Sequence, residues 1–224
     1  MNLTNNSKKL RHYISLERLI KILKDRRLTL SFNGKKWEDK NDVKAVSYYK
    51  KKTKSGIAIF CATGIYETFH HWMTYGGKNK TNKTCVFFDK SQLNRELKKG
   101  VKLLKSKKIK GRLISKQVQY YNLKQLKNNK IELNNLPFIK RSQFSDEQEM
   151  RFIWLDKNTS INAIKIPIGL KCIEKIYTSP WLEDSEHDRI SRKLKKLSVE
   201  NLIIQKSTIT DGKRWISSLY RSIT

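Results

Sequence analysis

The sequence predicts an α+β fold in a single domain. Apolar residues recur at helical spacing in some windows and at strand spacing in others, and the links between windows are short. The 224 residues hold only three prolines, with no Pro/Gly/Ser-rich stretch that would read as a linker. A chain of this length can bury a core without disulfides or metals. The apolar share of 38% is low, but 5 Trp, 9 Tyr and 8 Phe argue against disorder. Residues 1–10 read as a polar N-terminal tail and residues 11–224 as the domain.

Arg11, His12, Tyr13 and Ile14 form a short extended segment. Ser15 then caps a helix in which Leu16, Leu19, Ile20 and Leu23 share a face. Residues 28–32 alternate as a strand, Asn33-Gly34 turns the chain, and the polar run 35–42 reads as a surface loop. Residues 57–62 predict a buried strand. A helix carrying Phe69, Trp72 and Met73 follows and stops at Gly76-Gly77. Residues 84–88 are a second buried strand, and from Ser91 the pattern is helical and basic, with eight cations and no acid over 98–112. Residues 115–121 alternate as a strand, as do 145–154, 161–168, 173–178 and 202–209. Residues 185–198 form a basic helix with Ile190, Leu194 and Leu197 on its apolar side.

Charge sets the class of partner. The chain carries 49 Lys+Arg against 20 Asp+Glu, a formal net charge of +29. Such an excess attracts polyanions at long range, and nucleic acid binds cations through counterion release. Three basic clusters stand out: Lys50, Lys51 and Lys52; Lys105, Lys107, Lys108, Lys110 and Arg112; and residues 189–196. A charge run is commonly a solvated face, but three of them in so cationic a chain read as a nucleic-acid track. An acidic protein is the second partner class. Cys61, Cys85 and Cys172 are odd in number and widely spaced, so the reading is of free thiols in a reducing cytoplasm. No signal-peptide pattern opens the chain and no run is long enough to span a bilayer, so no membrane partner is expected.

The run Ser145-Asp146-Glu147-Gln148-Glu149-Met150-Arg151-Phe152 carries the most chemistry. On a strand, Glu147, Glu149 and Arg151 share one face while Met150 and Phe152 anchor the other. The plain alternative is an exposed ion pair worth under about 1 kcal/mol. Two carboxylates side by side raise each other's proton affinity and a neighbouring Arg lowers it, so one can be tuned against the other. His70 and His71 are adjacent and point apart on a helix, so no metal site is expected. Tyr75, at the helix end before two glycines, can face a cleft and stack on a planar ring. The chain lacks the Gly-rich phosphate loop, the dinucleotide Gly-x-Gly-x-x-Gly and the Gly-x-Ser-x-Gly elbow.

In motif order the chain resembles the bacterial family catalogued as domain of unknown function 2971. The resemblance runs over roughly residues 11–205. It rests on Arg11-His12-Tyr13, an aromatic polar loop over 32–42, Phe60-Cys61, Trp72 to Gly76 with its Trp-x-x-Tyr spacing, and Phe88-Asp89. Its most specific piece is Lys140, Phe144, Glu147, Glu149 and Arg151. The loop over 36–42 departs from the family wording, and the basic segment 98–112 looks private to this chain. That layout is similar to ADP-ribosyltransferases of the diphtheria-toxin type, which implies a central, mostly antiparallel split sheet. It further implies NAD as co-substrate, held by Arg11 or His12, Tyr13, Tyr75 and Arg151. Glu149 would be the catalytic acid and Glu147 would contact the acceptor.

Three functions compete at this point. The first is an ADP-ribosyltransferase of the toxin or phage-defence type that modifies nucleic acid, RNA before single-stranded DNA, with an acidic antitoxin or chaperone as a further partner. The second is a non-enzymatic basic module that binds nucleic acid or an acidic partner. The third is a nuclease, for which Asp42 or Asp89 would have to join Glu147 and Glu149 around a metal.

Overall fold

The computed structural model describes residues 7–35, 37, 39–198 and 202–223, and for Arg214 the backbone only. Most of the predicted tail, residues 1–6, and Lys36 and Glu38 of the predicted loop lie outside the described residues.

Strand β1 (Lys9–Ser15) opens the domain two residues before the boundary read at 11, because Leu10 is a core residue, 3% exposed. Helix α1 (Leu16–Asp25) buries Leu19, Ile22 and Leu23 and ends where Arg26 turns left-handed, at φ 49°. Strand β2 (Arg27–Ser31) follows. Helix α2 (Lys40–Thr53) overturns part of the predicted loop: Asp39 caps it, accepting from the amides of Asn41 at 3.0 Å and Asp42 at 3.4 Å. The cap sits inside a polar run, so composition conceals a helix whose buried side is only Asp42, Val46 and Tyr49.

Strand β3 (Gly56–Thr63), the short helix α3 (Phe69–Thr74), strand β4 (Lys83–Asp89) and helix α4 (Lys90–Ser106) come next. Gly76 and Gly77 take positive φ, 85° and 104°, and turn the chain after α3 as expected. Residues 115–121, read as one strand, divide into β5 (Arg112–Gln117) and β6 (Gln119–Tyr121). Helix α5 (Leu123–Asn128), a 3-10 turn at Leu133–Phe138, β7 (Ile139–Arg141) and a second 3-10 turn at Ser142–Glu147 lead into β8 (Glu149–Asp156). Strands β9 (Ala163–Pro167) and β10 (Ile173–Thr178), helix α6 (Asp184–Leu197), strand β11 (Ile203–Lys206) and helix α7 (Lys213–Arg221) complete the chain. The sequence pattern had not marked α7, which leaves Trp215, Ile216, Leu219 and Tyr220 in solvent. No helix among the described residues is long and apolar enough to cross a membrane.

Seven strands form one sheet in the order β11-β10-β4-β1-β3-β8-β5, antiparallel except for β10 and β11. The expected split lies between β1 and β3, which pair only at Arg11 and Thr63. One side of the sheet, with α1, α4, α6 and the β2–β9 ribbon, holds the main core around Phe60, Phe88, Phe152 and Trp154. On the other side α2 covers Ile57, Ile59, Ile153 and Leu155, and α3 covers Tyr13, Cys85 and Phe87.

Helix α4 approaches β9 so closely that a Cβ on Gly100 would lie 2.1 Å from the Pro167 carbonyl oxygen. Backbone cannot yield as a side chain can, so Gly100→Ala should cost about 1–3 kcal/mol of stability. An unchanged urea midpoint in that variant would contradict the packing.

Candidate active site

Strand β8 begins at Glu149 because Gln148 is left-handed, at φ 41°. This corrects the reading of 145–154 as one strand: Glu147 closes the 3-10 turn, and Glu149 and Arg151 alone share the strand face. Glu147 reaches the same place through Lys140 on β7, whose ammonium pairs with Glu147 and lies 3.5 Å from Glu149. All three members of the predicted ladder are buried: Glu147 is 7%, Glu149 6% and Arg151 1% exposed.

Arg151 has five N–H donors and every one is taken. Nε donates to Glu149 Oε1 at 2.8 Å and Nη2 to Glu149 Oε2 at 3.0 Å. Nη1 and Nη2 donate to the two oxygens of Asp42 at 2.9 and 2.6 Å, and Nη1 also to the Pro137 carbonyl at 2.8 Å. The guanidinium lies over the Trp37 ring. The expected role of Arg151 as a cofactor contact therefore gives way to that of a clamp, which joins α2, β8 and the 3-10 turn Leu133–Phe138 and aims Glu149. Asp42, which the sequence offered only to a hypothetical nuclease site, is its second carboxylate partner beside Glu149. An N-cap at Asp39 with apolar Val43, Val46 and Tyr49 behind it was the available signal.

The first strand lies close by. Thr63 pairs with both Arg11 and Glu149, so the three stand in one row, with Arg11 and Glu149 two strand spacings, about 10 Å, apart. Arg11 Nη1 donates to the carbonyls of Ile65 at 2.5 Å and Gly64 at 3.4 Å, and its guanidinium lies over Phe87 and Tyr66. Its Nε is buried with no hydrogen-bond partner in the protein. His12 is a correction. Strand alternation turns it to the opposite face, where its ring meets Phe60 at 4.5 Å and Nδ1 pairs with the Cys61 carbonyl across the split at 2.8 Å. Arg11 and Tyr13 share the Glu149 face. Tyr13 packs under α3, edge-on to Trp72 and stacked on His71.

Tyr75, just beyond α3, stands beside Glu147, and its ring lies 5.6 Å from that of His71. His71, 2% exposed, has Nδ1 bound to the Thr68 hydroxyl and Nε2 buried with no partner in the protein. Sequence reasoning considered His71 only as a metal ligand. Tyr120, the remaining contributor, accepts the Glu149 amide N–H at 2.8 Å.

The environment drives the two carboxylates apart. Burial alone would raise Glu149, but Arg151 and then Lys140 overcome it and hold the carboxyl down at about 2. Burial raises Glu147 above its ordinary value, against the pull of Lys140 and Tyr75. Burial likewise lifts the Cys61 thiol, with Glu149 adding to the rise, so Cys61 is no thiolate nucleophile. His71 is lowered to about 4 by burial and then by His70, and is neutral at pH 7. Formally Asp42, Glu147 and Glu149 face Lys140 and Arg151, leaving the cluster one negative charge in a chain of +29.

A pH dependence follows. Glu149 ionises at lower pH in the folded chain than its ordinary 4.5, so its anion stabilises the fold above 4.5, and that contribution is lost as pH falls toward about 2. Glu147 acts in the opposite sense: its contribution is present at low pH and lost as pH rises through its elevated folded value. Glu149→Gln should flatten the acid limb of stability between those pH values, measured as urea midpoint against pH. An unaltered limb would show that Glu149 is not the group holding it up.

The basic clusters at residues 50–52 and 105–112 are not at this site. The Gly56–Asp156 and Arg112–Leu155 pairs place the end of α2, with Lys50, Lys51 and Lys52, near the start of β5, with Lys110 and Arg112. Lys105, Lys107 and Lys108 end α4 at that same edge. Glu149 stands at the other end of β8, about 24 Å away along the strand. Among the described residues no group of three or more His, Cys, Asp or Glu side chains is placed to hold a metal.

No family model matches the chain, domain of unknown function 2971 included, and no curated protein matches it. Solved structures of Thermus sp. 2.9 DarT are similar. Its complex with carba-NAD+ has TM-score 0.42 at 9% identity, covering 90% of this chain and 96% of that one. Its complex with ADP-ribosylated ssDNA has TM-score 0.41 at 10% identity, covering 90% and 94%.

Proposed function

We propose that the chain is an NAD-dependent ADP-ribosyltransferase that modifies nucleic acid, with Glu149 as the carboxylate beside the reacting ribose. One observation carries the reading: two buried carboxylates meet at the first row of the split sheet, one held ionised and the other raised. Environments that separate a pair in this way assign them different chemical tasks. Glu149, an anion with both oxygens anchored, stabilises the positive charge that develops at the ribose carbon as nicotinamide leaves with the bond pair. Glu147, with its higher proton affinity, accepts the proton of the incoming nucleophile.

The residues fit NAD on two counts. Arg11 Nε and His71 Nε2 are buried polar atoms without protein partners, on the same side of the sheet as Glu149. Tyr75 brings an aromatic face to the edge of the cluster, beside His71. Arg11, Tyr13, His71 and Tyr75 would hold the dinucleotide, and it would supply the ADP-ribosyl group.

Incubating the full chain with NAD labelled on the adenylate phosphate, in the presence of RNA, single-stranded DNA or bulk protein, tests the proposal. Label on RNA or single-stranded DNA is the expected result, and absence of label from every acceptor would overturn it. The basic-module reading also draws on a specific observation, the distance between the cations and the carboxylates. It predicts binding of the same acceptors with indifference to NAD.

A further inference from the structure

The sheet face that carries Glu149 also carries a groove of about 210 Å³, toward the opposite end of β8. Ile114, Ile153 and Leu155 form its floor, and Tyr49 and Phe138 form apolar walls. Arg112 and Lys116, both exposed, stand on the edge strand β5 at its rim, and the lining contains no carboxylate. Lys116 is held in place: its ammonium donates to Asn135 Oδ1 at 2.9 Å and lies over the Phe138 ring. The Pro137 carbonyl that closes the groove toward Glu149 is the one bound by Arg151, and Arg151 is the cross-strand neighbour of Lys116.

We infer that this groove takes one base of a single-stranded nucleic acid, with phosphates of the same strand, several nucleotides apart, on Arg112 and Lys116. The inference rests on the reading of nucleic acid as the acceptor. An apolar slot accepts a base whatever its identity, and cations along its rim follow the backbone. Arg112 and Lys116 are four residues apart on one strand, about 13 Å, or about four stacked nucleotides. Lys110 and the lysines ending α2 extend the positive field at the outer end of the groove. The Arg151 clamp partitions groove from carboxylates, so the groove is a contact for the strand separate from the place of transfer.

The test is a fluorescence-anisotropy titration of a labelled single-stranded oligonucleotide with the full chain, without NAD, at several salt concentrations. Arg112→Ala/Lys116→Ala is compared with Lys21→Ala/Lys24→Ala, an equal loss of charge on the exposed side of α1, across the sheet. The groove variant should bind about tenfold more weakly and lower the slope of log affinity against log salt by about 1.4, two phosphate contacts' worth. The α1 variant should stay near wild type. Equal weakening in both variants would overturn the inference in favour of diffuse attraction. Competition by polyphosphate or polyglutamate as effective as by oligonucleotide of matched charge would overturn it too, since neither carries a base. Binding is read apart from transfer, so a failed groove and a failed transferase are distinguishable: the first leaves NAD-dependent labelling intact, the second leaves oligonucleotide binding intact.

Discussion

Glu149→Gln should lower ADP-ribosyl transfer by about 10²–10³-fold or more, while the chain remains folded. The expectation follows from what the carboxylate is built to be. Arg151 anchors both its oxygens, the Tyr120 hydroxyl holds its backbone, and burial removes the water that would screen it. A fixed anion in so dry a place stabilises a developing cation without reorganising, and a neutral amide of the same shape does not. Gln retains one oxygen for Arg151, which keeps its bidentate pair with Asp42, so the variant gives up the stability the anion supplies above pH 4.5 while the guanidinium keeps that anchoring. Initial rates with labelled NAD, beside a thermal melt, separate loss of chemistry from loss of structure. A folded variant with wild-type rate would remove Glu149 from the mechanism. Glu147→Gln should lose less, on the order of 10²-fold, and should lose the acid limb of the pH profile, because it removes a proton acceptor that works only when deprotonated rather than the charge beside the ribose.

Asp42→Ala should destabilise the fold by about 3–5 kcal/mol, the usual cost of leaving one partner of a buried ion pair unpaired. Arg151 is 1% exposed, and without Asp42 two of its five donors would face no acceptor. That cost is a large part of the total stability of an ordinary domain, about 5–15 kcal/mol. Burial opposes the charge on Arg151, but Glu149 and then Asp42 hold its pKa well above the ordinary value, so shedding the proton offers no escape. Urea unfolding at unchanged m reports the loss. Combining Asp42→Ala with Arg151→Met tests the pairing itself, since the double variant should cost clearly less than the two singles summed. A cost for Asp42→Ala below about 1 kcal/mol would place the pair with solvated surface bridges and undo the account of Arg151 as a clamp.

The strand patterns of β3, β4 and β10 and the apolar stripes of α1 and α6 were legible because each is a local periodicity, written at spacings of two or of three and four residues. Helix α2 was not, because its signal is one cap inside a polar run and its buried side is short. The strand face shared by Glu149 and Arg151 was legible for the reason β3 was. Glu147 was assigned to that face by counting, and the left-handed Gln148 defeats the count. His12 shows the reverse: alternation alone says it cannot share a face with Arg11 and Tyr13, and the family resemblance overrode that rule.

By itself the sequence determined the α+β class, the core positions, the cationic character and the presence of two carboxylates and an arginine beside an apolar strand. These follow from composition and from repeats only a few residues long. The tertiary structure alone decided that Arg151 is claimed by Asp42, 109 residues away in the chain, and that Lys140 joins Glu147 to Glu149. It also decided that the lysines ending α2 and those around β5 gather at the end of the sheet farthest from the carboxylates. Partners so distant along the chain share no local pattern, and only the packing of α2 on the sheet, together with the register of β3, β8 and β5, brings them within reach.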